Sequence, residues 1–222
     1  MADRLLFARE NNVDQIFWSQ RSDARRDAPC LFLDRDGVIV EEVEYLSRPE
    51  DVRLIPGAAA LIEAARARGY AVGLVTNQGG IGLGHYDWAA FAAVQAELAK
   101  QLNVGAEPFD FIAACACHPQ AKVDRLRGDH PWRKPAPGML LAAADILALD
   151  IKQSIMIGDH ARDIEAGLAA GVGRLVHVAT GHGRTHRSDI LTLINRTSPE
   201  APPIILAESV YETLALLGWT RA

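Results

Sequence analysis

The feature that most limits what this chain can fold into is an alternation of short apolar runs with longer alanine- and leucine-rich stretches. Cys30–Leu33, Tyr70–Val75, Phe109–Ala114, Ser154–Ile157 and Leu175–Val178 are too short for core helices, and runs of this kind are strands buried on both faces. Between them, Pro56-Gly57 opens a helix over Ala58–Arg68 that Gly69 ends, and Asp87 caps a long helix through Trp88, Phe91, Val94 and Leu98. Pro137-Gly138 opens another to about Leu149, and Ala161–Ala170 runs up to Gly171. Pro203–Leu206 and Ser209–Leu217 add a last strand and a closing helix. Strand and helix in alternation predict an α/β fold: one Rossmann-like domain with a central parallel sheet and helices on both faces.

Residues 1–29 break the pattern. They are polar apart from the knot Ile16-Phe17-Trp18, and read as an N-terminal extension docking through that knot on a domain spanning 30–222. Glu41–Arg53, Gly79–Gly84, Cys115–Arg133 and Thr180–Ser188 carry glycines, prolines or charges without an apolar period and are predicted loops. Of the 222 residues, 49% are hydrophobic, enough for a full core. A net charge of −5 argues against nucleic acid as a partner. No apolar run approaches the roughly 18 residues that cross a bilayer, and Met1–Gln20 has no signal-peptide core. Three cysteines make no disulfide framework, so the expected setting is the cytoplasm, as a monomer or small homo-oligomer acting on a small molecule.

The runs end in chemistry. Cys30–Leu33 stops at Asp34 and Asp36, Tyr70–Val75 at Thr76-Asn77-Gln78, and Ser154–Ile157 at Asp159, with Asp163 one helical turn on. Ligands of open α/β sheets bind beyond the carboxyl ends of the strands. Carboxylates gathered there make a hard oxygen site suited to Mg²⁺, and Lys134 adds a fixed positive charge. Carboxylates, a divalent cation, a lysine and a hydroxyl suit phosphoryl transfer, whose transition state spreads negative charge over equatorial oxygens.

In this order, Leu33-Asp34-Arg35-Asp36-Gly37, Thr76-Asn77-Gln78, Arg133-Lys134-Pro135 and Gly158-Asp159 through Asp163 resemble the four motifs of the haloacid dehalogenase (HAD) phosphatase superfamily. Within it, Thr76-Asn77-Gln78-x-Gly80-Ile81-x-x-Gly84 and Arg133-Lys134-Pro135-x-Pro137-Gly138-Met139 resemble the D-glycero-D-manno-heptose-1,7-bisphosphate 7-phosphatases and their histidinol-phosphatase relatives. The resemblance implies that Asp34 is the nucleophile and Asp36 the acid/base. Thr76 and Lys134 would hold the phosphoryl group. Asp34, the Asp36 carbonyl and Asp159 would ligate Mg²⁺, with Asp163 in support. Glu42 to Tyr45, Asn77, Gln78 and Arg133 would line the substrate pocket. The intervals Asp36–Thr76 and Thr76–Lys134 are too short for a cap domain, so the site is expected to be open.

The chain also departs from that pattern. Many relatives carry a structural zinc loop whose positions here are Cys115, Cys117, His130 and Trp132. An indole cannot ligate zinc, and structural zinc sites are nearly always four-coordinate, so the expectation is a loop held by packing. His160 stands where lysine is frequent, which predicts a local charge that varies near neutral pH. Gly79 replaces a frequent serine. His182–Arg187 reads as a solvated loop or as a clamp for a second phosphate. Two other readings stand beside the heptose bisphosphatase: a histidinol-phosphate phosphatase, and a phosphoryl-ligand binding protein without turnover.

Overall fold

In β2 (Cys30–Leu33) the side chains divide between two cores: Leu31 and Leu33 join one, Cys30 and Phe32 the other. A strand apolar on both sides must be central, and β2 pairs in parallel with β3 (Ala71–Asn77) on one edge and β5 (Ile155–Gly158) on the other. The computed structural model describes residues 14–105 and 107–220. Its sheet adds β1 (Ile16–Gln20), β4 (Phe111–Cys115), β6 (Arg174–Val178) and β7 (Ile204–Ala207), in the order β1-β4-β3-β2-β5-β6-β7. All neighbours are parallel except β1 and β4.

Helices cover both faces. α1 (Ala58–Ala67), α3 (Trp88–Leu102) and α7 (Val210–Leu216) bury Leu61, Val94, Leu98 and Val210 with Leu31 and Leu33. On the other face, α4 (Gly138–Leu147), α5 (Ala161–Ala170) and α6 (Gly183–Arg196) bury Leu140, Ile164 and Ile190 with Phe32. Asp87 caps α3 by accepting from the Ala90 N–H at 2.8 Å, and Ser209 caps α7 in the same way from Glu212. Chain order reverses between β2 and β5, so the crevice at their carboxyl ends is the fold's switch point.

Several sequence expectations shift. The Ile16-Phe17-Trp18 knot does dock, but as the antiparallel edge strand β1, with Trp18 stacked on Phe111. Residues 1–13 of the predicted extension lie outside the described residues. Gly79–Gly82 is a single helical turn, α2, rather than loop. The predicted loop over Thr180–Ser188 is helical from Gly183 onwards. Among the described residues, a 3₁₀ turn at Pro49–Asp51 and α1 lie between β2 and β3, and α2, α3, β4 and a 3₁₀ turn at Asp124–Leu126 lie between β3 and Lys134.

Candidate active site

The strand ends of β2, β3 and β5 bring Asp34, Thr76 and Asp159 to one crevice, where all three are buried. Lys134 reaches them from the loop before α4. Its Nζ lies 3.0 Å from Asp34 Oδ1 and 2.7 Å from Asp163 Oδ1, and donates to the Val75 carbonyl at 2.9 Å. Burial works against the ammonium, but the Asp163 and Asp34 carboxylates outweigh it and raise its pKa. Asn77 holds this lysine by both ends of its backbone, accepting from the Lys134 N–H at 3.0 Å and donating to the Lys134 carbonyl at 2.9 Å.

Asp34 Oδ1 also accepts from the Arg35 N–H at 2.7 Å. No hydrogen bond occupies Oδ2 among the described residues, and Asp34 lines the cavity. Burial raises the Asp34 pKa, with Lys134 opposing and Asp163 adding to the rise. Asp159 is pushed up to about 8 by burial, then by Asp163 and Asp34. Its Oδ2 accepts from the His182 N–H at 2.7 Å. Gly37, at φ +77°, and Gly181, at φ +54°, pack back to back against that carboxylate. A Cβ on either would collide with Asp159 Oδ2, so only glycine fits there.

Asp34, Asp159 and Asp163 each offer an oxygen, and these oxygens lie within 4.8 Å of one another. Three buried carboxyl groups beside one ammonium offer a cluster of hard oxygen donors, and donors so arranged fit Mg²⁺. Asp163 is committed elsewhere as well. Its Oδ2 accepts from the His160 N–H at 3.0 Å, closing a capping box at the start of α5.

Asp36 points into the same cavity, held by Arg35. The Arg35 Nε lies 3.1 Å from both carboxylate oxygens and Nη2 lies 3.0 Å from Oδ2. The Arg35 guanidinium is itself buried over the Phe91 ring, with its centre 5.6 Å from the ring centroid. Gln78 links the motifs by donating to Thr76 Oγ1 at 2.8 Å and to Asp36 Oδ2 at 3.4 Å. Tyr86 donates to Gln78 Oε1 at 2.6 Å, and burial raises its phenol to about 12, so it keeps the proton it donates.

The cavity, of about 310 Å³, is lined by Asp34, Asp36, Thr76 and Asp159, and by the predicted substrate residues Glu42, Tyr45, Asn77, Gln78 and Arg133. Such a volume suits a small ligand. Tyr45 stacks on His85 at 4.0 Å and is partly exposed, and Glu42 lies 3.6 Å from His182. Burial, with Asp36 and Asp34 nearby, raises the Glu42 pKa to about 7. Arg35, Tyr86 and Arg162 also belong to this cavity and were given no role from sequence, and His182 joins them from the stretch read as a loop or clamp. The one signal for Arg162 was its place in the first turn of a helix that starts at a strand-end aspartate.

Two expectations need correction. His160 does not titrate near neutrality. Its ring turns into the α5 cap, accepts from the Arg162 N–H at 3.3 Å and packs at a tilt of 34° against His186, with ring centroids 3.6 Å apart. Burial and Arg162 push its pKa down to about 3. Nor does the His182–Arg187 stretch form a clamp: only His182 lines the cavity, while Arg187 donates to the Ala207 carbonyl and pairs with Glu208.

Away from the crevice, Cys115, Cys117 and His130 gather with donor atoms within 4.8 Å. No fourth Cys, His, Asp or Glu joins them among the described residues. Trp132, at the remaining position, packs edge-on against Trp18 at 6.0 Å. A closed four-ligand zinc site is therefore not supplied by these side chains.

The description haloacid dehalogenase-like hydrolase matches residues 4–171, and a second, HAD-hydrolase-like, matches 131–212. The chain belongs to the haloacid dehalogenase-like hydrolase family. It is 41% identical over 146 residues to a D-glycero-beta-D-manno-heptose-1,7-bisphosphate 7-phosphatase of Mesorhizobium japonicum, covering 66% of this chain and 67% of that one. It is 35% identical to a protein of the same name from Vibrio cholerae, over 75% of this chain and 89% of the relative. A Burkholderia mallei relative, also 35% identical and 96% covered, is named for the alpha anomer. Among solved structures, a HAD-like phosphatase from Mesorhizobium loti superposes with a TM-score of 0.77 at 31% identity, covering 94% of this chain and 96% of that one. The D,D-heptose bisphosphate phosphatase of B. bronchiseptica, complexed with magnesium and phosphate, superposes with a TM-score of 0.69 at 26% identity, covering 85% and 97%.

Proposed function

We propose that this HAD-family hydrolase is a Mg²⁺-dependent phosphatase that removes the 7-phosphate of D-glycero-D-manno-heptose 1,7-bisphosphate in heptose-nucleotide biosynthesis. The names of relatives that are 35–41% identical support the substrate. The observation that carries the chemistry is the buried Asp34–Lys134–Asp163 chain with Asp159 beside it, which holds one nucleophile oxygen and leaves the other facing the cavity.

Asp34 Oδ2 attacks phosphorus, and the bond from phosphorus to the sugar oxygen breaks as an aspartyl-phosphate forms. Asp36 delivers its proton to that leaving oxygen. It then takes a proton from the water that cleaves the aspartyl-phosphate, releasing inorganic phosphate and restoring Asp34. To act, Asp36 must slacken its pairing with Arg35, and Gln78 provides an alternative donor on the same side. Thr76, whose oxygen already accepts from Gln78, has its own proton free to donate to the phosphoryl group. Asp34, the Asp36 carbonyl and Asp159 would hold Mg²⁺, with Asp163 in support, and the ion supplies charge neutralisation for the phosphoryl oxygens. Zinc has no part in this reading. The setting proposed is the cytoplasm; among the described residues no helix is long and apolar enough to cross a membrane.

The test is a steady-state panel with Mg²⁺: both anomers of the heptose bisphosphate, histidinol phosphate, and the Asp34→Asn variant. The highest kcat/KM is expected for a heptose bisphosphate. A higher value for histidinol phosphate would replace the substrate. Asp34→Asn is expected to lower kcat by roughly 10⁴-fold with unchanged circular dichroism. Wild-type turnover in that variant would remove the nucleophile, and no wild-type turnover of any phosphate would leave a binding protein.

A further inference from the structure

We infer that Tyr86 is a positioning residue for the reaction: by holding Gln78 Oε1 it keeps the Gln78 amide turned so that only N–H groups face Thr76 and Asp36, which leaves the protons of both for the substrate. This rests on the roles given above to Thr76 and Asp36. Gln78 is 1% exposed, and its backbone is pinned on both sides. Its N–H donates to the Cys115 carbonyl at 2.7 Å, and its carbonyl accepts from the Ile81 N–H at 3.1 Å. What remains free to turn is the side-chain amide, which fills nearly the same space when its oxygen and nitrogen change places.

The two arrangements differ in chemistry. As found, Nε2 donates to Thr76 Oγ1 at 2.8 Å and reaches Asp36 Oδ2 at 3.4 Å. The other partners of the Asp36 carboxylate are the Arg35 Nε and Nη2 donors, so no acceptor touches it among the described residues. Thr76 Oγ1 likewise meets no acceptor among them. With the amide reversed, Oε1 would face both groups. It would take the Thr76 proton that the phosphoryl group needs and the Asp36 proton that the leaving oxygen needs.

Tyr86 decides between them. Its hydroxyl donates to Gln78 Oε1 at 2.6 Å, and it keeps that proton because burial pushes the phenol up to about 12. The Arg35 charge acts on the same oxygen, and a guanidinium accepts nothing, so Gln78 is the phenol's acceptor among the described residues. Reversal would exchange this bond for an NH₂ group set beside the Arg35 cation. The ring itself is seated without help from the hydroxyl, since it packs with Tyr45 where Gly80 has no Cβ. Tyr86→Phe therefore removes the hold on the amide and keeps the packing.

The experiment measures kcat and KM with Mg²⁺ on the best substrate of the panel above. Tyr86→Phe is made in the wild-type chain and in two backgrounds, Gln78→Met and Gln78→Glu, that have no amide to orient. In the wild-type chain it is expected to lower kcat about tenfold with KM within about twofold, and in either background to change kcat less than about twofold. An equal fall in all three overturns the inference, because Tyr86 would then act without Gln78. So does an unchanged kcat in the wild-type chain, or a rise in KM alone, which would make Tyr86 a substrate contact. Wild-type kcat in both Thr76→Val and Asp36→Asn overturns the roles read above, and the inference with them.

Discussion

The floor and the rim of this cavity are built by different means. Asp34, Thr76, Lys134, Asp159 and Asp163 on the floor are at most 5% exposed, and strand register, a capping box and a buried ion chain fix them. The rim is half open. Tyr45 is 38% exposed and rests on His85, and Glu42 meets His182 at 3.6 Å. Reaction steps need charges held in a dry, preorganised setting, and the floor has that. Substrate choice needs shape and charge that can differ between relatives, and loops and helix starts offer it. A perturbed floor should lose chemistry and stability together, whereas a perturbed rim should change preference and leave the fold alone.

The largest expected effect is on the floor. Lys134→Met leaves Asp34 and Asp163 facing each other without a counter-charge. Removing one partner from a buried ion pair costs about 3–5 kcal/mol, so the urea midpoint should drop sharply. Because the lysine also offsets phosphoryl charge, kcat should fall by roughly 10³-fold. Tyr45→Ala on the rim should raise KM and shift stability by less than about 0.5 kcal/mol. If Lys134→Met proved as stable as Tyr45→Ala, the floor and rim would not differ as described.

The second effect is the floor's response to metal. Asp159 sits at about 8 in the metal-free fold, against an ordinary value of 3.8, with burial as the main cause. Below 3.8 it is protonated folded and unfolded alike. Between there and about 8 the unfolded chain ionises while the fold holds its proton, so stability falls as pH rises. Mg²⁺ binding should displace close to one proton at pH 7 and almost none at pH 9. Titration calorimetry in two buffers of different ionisation enthalpy reads this directly. Saturation at a hundredfold excess over Kd should add about 2.7 kcal/mol of stability. No proton release at pH 7 would mean that Asp159 is already ionised.

How much of this the sequence makes legible follows the same division. β2, β3 and β5 are visible because each is an apolar run cut off by a polar residue at the strand end, and the cut marks the floor. α6 is not visible, since its first turns are polar and Ile190 is its only fully buried apolar side chain. β1 is a five-residue edge strand defined by pairing with β4, about a hundred residues away, which no local period reports. Arg35 looks like a spacer between two acids until the fold places Phe91 under it. Likewise Tyr86 gains its role only when Gln78 is turned toward it. The predicted pH sensitivity of His160 failed for a similar reason: the helix cap and the His186 ring bury it.

The smallest effect joins rim to floor. Glu42 is raised to about 7 by burial and then by the negative charges of Asp36 and Asp34 below it. Under pH 4.5 it is protonated whether folded or unfolded and contributes no pH dependence. From 4.5 to about 7 the unfolded chain gives up the proton and the folded one keeps it, so folding loses stability as pH rises, and above that the penalty is constant. Glu42→Gln removes the penalty. The variant should match the pH dependence of wild type below 4.5 and be relatively more stable above 7. The gain should be about 1 kcal/mol or less, because water reaches part of the side chain and screens it. Saturating Mg²⁺ should shrink it further, since the ion cancels the charge beneath. Urea midpoints of both proteins at pH 4 and pH 8, with and without Mg²⁺, test each part. A gap equal at both pH values would mean that the rim carboxylate does not sense the floor, and rim and floor would be electrostatically separate.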